Sequence, residues 1–152
     1  MKTISELINS GVQTQVYYVS HGSFDTHVNQ INQQGRLLKQ YAESMRVFID
    51  DMKANGRIED LMVMTFSEFG RRVKQNASNG TDHGTANNIF LMGGKLKTDQ
   101  NLMQAPDLQN LDNGDLKYKV DFRDIYATVL DKWLQTDSVA VLGKKFEGLG
   151  FV

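Results

Sequence analysis

The sequence predicts a small α/β domain, a mainly parallel sheet flanked by helices. Three observations predict it. Compact apolar runs recur at 14–20 (TQVYYVS), 60–66 (DLMVMTF) and 87–94 (NNIFLMGG). Runs of that length, rich in β-branched and aromatic residues, are the pattern of buried strands. A stretch of helical periodicity over 28–54 separates the first two runs, and a strand–helix–strand order implies a right-handed parallel crossover.

Each element has its own signal. Residues 4–11 (ISELINSG) read as a short helix closed by Gly11. The run 14–20 is followed by a loop carrying His21, Asp25 and His27. In 28–54, Leu37, Leu38, Tyr41, Met45, Phe48, Ile49 and Met52 recur at three- and four-residue steps, which makes one apolar face. Asn55-Gly56 is a good C-terminal stop. Residues 67–86 (SEFGRRVKQNASNGTDHGTA) are polar and glycine-rich, and a loop of that length inside a domain is usually functional or disordered. The stretch 100–119 reads as irregular, with a turn at Asn113-Gly114. Residues 121–134 (DFRDIYATVLDKWL) form a second amphipathic helix with Asp121 as its N-cap. The tail from Ser138 reads as a short helix and a fraying end.

The chain has 152 residues, which suggests one α/β domain over 1–152. That is long enough to bury a core without a disulfide or a structural metal. Cysteine is absent, which excludes disulfides and thiolate metal sites. A net charge of −1 gives none of the basic excess of a nucleic-acid binder. No apolar run approaches the ~20 residues that cross a bilayer, and the polar start MKTISELINSGVQTQ has no signal-peptide core. The sheet is small and the chain begins almost directly on a strand, as one half of a larger α/β fold would.

In open parallel sheets, ligand sites lie beyond the carboxyl ends of the strands. The Asp25/His27 loop, the Ser67–Arg71 turn and the Asp82-His83 segment would all emerge there. Asp25-x-His27 suits a divalent cation: imidazole favours zinc, and a carboxylate neutralises charge and accepts harder ions such as manganese, calcium or magnesium. His83 as a third ligand would leave an open coordination position, the composition of a catalytic site. The alternatives are plain. Asp25 and His27 also suit an Asx-type turn, and His83 before Gly84 suits a tight turn. Asp82 could cap a turn, Glu68 and Arg71 could form an ion pair, and His21 reads as a hydrogen-bonded loop residue. Ser67 lacks the G-x-S-x-G elbow of a serine hydrolase.

The segments FDTHVNQ, VMTFSEFGRRVKQNASNGTDHGTA, GDL and DFRDIYATVLDKWL, in this order and spacing, resemble the bacterial family catalogued as domain of unknown function 1501. The resemblance runs from about residue 14 to 135. It implies a sulfatase-like member of the alkaline-phosphatase superfamily, a hydrolase of phosphate or sulfate esters that holds divalent metal at strand ends. By that likeness Asp25 and His27 match the first metal loop and His83 a later one, with His21, Glu68, Arg71 and Asp82 lining the site. The place of the second metal's adjacent Asp-His pair reads Glu68-Phe69, and phenylalanine does not ligate. Arg71 would supply positive charge for a small anionic ester. The superfamily's nucleophile lies in its N-terminal half, so the resemblance is to the C-terminal part of a longer protein and assigns no catalytic residue in this chain. An exported, periplasmic address is implied by the resemblance alone.

Overall fold

Helix α2 (Gln30–Ala54) is the spine of the fold, and its packing follows from its sequence period. Leu37, Phe48 and Met52, at helical spacing, are its buried residues, and Met52 is fully enclosed. Burying side chains of this size contributes about 1.5–3 kcal/mol each. Leu38, one step around the helix, is instead 52% exposed. The helix stops at Asn55 and Gly56, whose positive φ of 67° takes the chain out of the helical path. The computed structural model describes residues 1–97 and 105–152.

A short helix, α1 (Lys2–Asn9), packs on α2 through a hydrogen bond between Ser5 Oγ and the Asp51 carboxylate. After α2 come strands β1 (Met62–Thr65), β2 (Gly70–Gln75), β3 (Thr81–Gly84), β4 (Phe90–Gly93), β5 (Leu111–Asp112) and β6 (Asp115–Leu116). The chain closes with α3 (Phe122–Thr128), which runs into a π-helical turn (Val129–Trp133), and α4 (Ser138–Leu142). Asp121 caps α3 by accepting from Arg123 N–H, and Phe151 is buried in the tail. Among the described residues, no helix is long and apolar enough to cross a membrane.

The sheet is not the one expected. The described strands form three two-stranded sheets, β1–β4, β2–β3 and β5–β6, and every pairing is antiparallel. The mainly parallel sheet flanked by helices is therefore wrong for this chain. The run 14–20 joins no ladder, and most of it is exposed, with Val16 at 64% and Tyr18 at 78%. The polar stretch 67–86 is not a loop; it is largely the β2–β3 hairpin. That explains the reversal. A hairpin begins and ends at the same place, so β4 starts where β1 stops, with Thr65 opposite Phe90, and runs back beside it.

The hairpin's turn is built from its amide side chains. Asn76 Oδ1 accepts from both Ser78 N–H and Gly80 N–H, and Asn79 takes the left-handed conformation at φ 57°. The Asn113-Gly114 turn joins β5 to β6 with positive φ at both residues. Residues 100–104 of the stretch read as irregular lie outside the described residues.

Candidate metal centre

Two segments bring the cluster together. His83 lies in β3 opposite Arg71 of β2, so both side chains project from one face of the hairpin. Asp25 and His27 come from the extended loop before α2. That loop is fastened to the hairpin through the backbone: Asn29 N–H donates to Ser78 O (2.9 Å) and Gln30 N–H to Asn79 O (3.1 Å). Side chains add to it. Asn76 Nδ2 donates to His27 O (3.1 Å), and Arg71 Nη2 donates to Phe24 O (2.6 Å). From α2, Gln34 Nε2 donates to Phe24 O and to the hydroxyl of buried Thr26, which Gln30 Nε2 also reaches.

The result is a triangle of ligand-type atoms. Asp25 Oδ1 lies 2.9 Å from His27 Nε2 and 2.8 Å from His83 Nε2, and the two nitrogens are 3.2 Å apart. Bonds of about 2.0–2.1 Å in a tetrahedral zinc site put ligand atoms about 3.3 Å from one another. The observed triangle is a few tenths of an ångström tighter, as hydrogen bonding to a shared carboxylate oxygen would make it. One carboxylate and two imidazoles thus fit a borderline cation in type and spacing. The side chains keep 42–65% of their exposure, so the side away from the protein is open to water or a ligand. Hydrogen bonding to His83, and secondarily to His27, holds the Asp25 carboxyl below the usual carboxylate range.

The other expected site residues fall in different places. Asp82 sits in β3, not at a cap; its Oδ1 is 3.6 Å from His27 Nδ1 and accepts from Asn76 Nδ2 at 3.3 Å. His21 stands edge-on to Phe24 at 5.2 Å, outside the triangle. Glu68 is exposed and, among the described residues, makes no hydrogen bond or ion pair, so it does not pair with Arg71. The convergence does not arise at the carboxyl ends of parallel strands; it comes from the hairpin and the loop laid against it.

Sequence reasoning overlooked the supports. Phe69 lies flat on the His83 ring, with centroids 3.8 Å apart and planes 8° from parallel. Gln30 and Gln34, one helical turn apart, hold the loop, and their i,i+4 spacing was the available signal. Asn76 carried none beyond its place in a polar turn.

No curated protein and no solved structure matches the chain. A protein family does: the one described as "Protein of unknown function (DUF1501)" matches residues 5–146, nearly the whole chain, and the chain belongs to that family.

Proposed function

We propose that the chain is a metal-dependent hydrolase-like domain of the alkaline-phosphatase and sulfatase type, acting on small phosphate or sulfate esters. The observation that carries this reading is the Asp25–His27–His83 triangle, whose three ligand atoms lie within 3.2 Å of one another on an open surface. Zinc fits the donor set best, with manganese, calcium and magnesium as alternatives. When bound there, a cation would polarise a phosphoryl or sulfuryl oxygen and lower the pKa of a coordinated water. Asp25 would neutralise one positive charge, and Asp82 faces the outer nitrogen of His27. The cluster itself contains no nucleophile. In this reading the nucleophile is supplied by an N-terminal part beyond these residues, in an exported, periplasmic protein.

A second reading is a ligand-binding or assembly module with a degenerate metal site. It is favoured by Glu68-Phe69: the phenylalanine covers one face of His83, and the glutamate engages no partner among the described residues. Metal analysis separates the two. Purified chain should carry one zinc, and His83→Ala should carry none. The longer protein, metal-loaded, should then release phosphate or sulfate from an ester panel. Metal without hydrolysis favours the module; no metal in either chain removes the hydrolase reading.

A further inference from the structure

We infer that Arg71 and Phe69 are positioning residues that hold His83 in register with the Asp25/His27 loop. This rests on the reading of the triangle as a metal site, and it gives Arg71 a role other than binding a substrate anion.

Both terminal nitrogens of Arg71 are engaged by main-chain carbonyls. Nη1 donates to Thr81 O at 2.7 Å, and Nη2 donates to Phe24 O at 2.6 Å. One carbonyl lies two residues before His83, and the other immediately precedes Asp25. A single planar guanidinium therefore ties together two segments that are far apart in sequence, with short charge-assisted bonds. Two of its five N–H donors are committed in this way.

Phe69 completes the clamp. Its ring lies 3.8 Å from the His83 ring and nearly parallel to it, while Arg71 Cζ is 5.0 Å from the Phe69 centroid. A ring stacked this closely on one face restricts rotation of the His83 imidazole about χ2. Its Nε2 then points at Asp25 Oδ1 and His27 Nε2. Supports of this kind around metal ligands typically change affinity by about 10- to 100-fold when removed.

The test uses the full chain and two independent readouts. In the metal-free protein, the Phe69 ring current should displace the His83 ring protons upfield in NMR spectra. That displacement should vanish in Phe69→Leu, persist in Phe69→Tyr and be lost in Arg71→Ala. Arg71→Lys should behave like Arg71→Ala, because an ammonium cannot span both carbonyls; it also serves if Arg71→Ala fails to fold. Titrated with Zn²⁺ alone, the Arg71 and Phe69→Leu variants should bind about 10- to 100-fold more weakly than wild type, and Phe69→Tyr about as well. If wild type binds no Zn²⁺ while Arg71→Lys still abolishes the displacement, the positioning role stands and the metal reading fails. If the variants lose only thermal stability and keep both the displacement and the Zn²⁺ affinity, the inference is overturned.

Discussion

His83 Nε2 lies 2.8 Å from Asp25 Oδ1, across 58 residues of sequence. That hydrogen bond is the largest influence lowering the Asp25 pKa; the bond from His27 is a smaller one. His83→Ala should therefore raise the Asp25 pKa toward its ordinary value, and His27→Ala should raise it by less. The linkage has a definite sign. A carboxyl whose folded pKa is depressed stabilises the fold above its unfolded pKa, and that contribution is lost as pH falls through the folded value. Carboxyl-carbon NMR titration of wild type and the two variants measures the order. Equal shifts in both variants would contradict it.

Gly80 permits the hairpin turn to approach the His27 backbone. A Cβ built on Gly80 would stand 2.3 Å from His27 O, where it meets main chain and not a side chain that can swing away. Gly80→Ala should push the Asp25/His27 loop off the hairpin and cost about 1–3 kcal/mol, the usual range for overpacking. Chemical denaturation gives the stability, and loss of nuclear Overhauser contacts between the His27 and His83 rings reports the separation. An unchanged ring–ring contact would show that the turn relaxes independently of the site.

Periodicity identified the long helix and its Asn55-Gly56 stop because those signals are local. Sheet topology is not local, and there the reading failed. TQVYYVS carries strand composition, but strand propensity reflects the neighbours a side chain finds as much as the backbone. Here the run finds no ladder, and β1 pairs instead with β4, whose direction the intervening hairpin decides. That Asp25, His27 and His83 converge was legible because the chain has only three histidines, two of them in short Asp-bearing segments that the fold brings together. The cluster's supports were not: Gln30, Gln34 and Asn76 act through main-chain carbonyls and hydroxyls, and composition does not show where those lie.

Asp121 predicts a pH dependence far from the cluster. Its carboxylate accepts from Arg123 N–H at 2.9 Å and from the Arg123 guanidinium at 2.8 and 2.5 Å. Those bonds, the side-chain one foremost, lower its pKa from 3.8 to about 2. Its stabilisation of α3 is thus fully present above pH 4 or so and is lost as pH falls through about 2. Asp121→Ala should cost about 1 kcal/mol at neutral pH, as the loss of an N-cap does. The gap between wild type and variant should close on acidification, which thermal unfolding across pH would follow. A gap that stayed constant down to pH 2 would mean that the cap is not acting through its charge.

The apolar face of α2 is narrower than its sequence pattern, and substitution can show by how much. Met52 is fully buried, whereas Leu38 keeps 52% of its exposure although both belong to the same periodic set. Met52→Ala removes a side chain enclosed on all sides and leaves a cavity, which should cost about 2–5 kcal/mol. Leu38→Ala removes little buried area and replaces leucine with a better helix former, so it should stay within about 0.5 kcal/mol of wild type. Urea denaturation of both variants at equal concentration makes the comparison. The m-value serves as a control, because a variant that changes it has altered how much surface unfolding exposes. If Leu38→Ala proves as costly as Met52→Ala with m unchanged, Leu38 is covered in solution by a surface that the described residues do not provide.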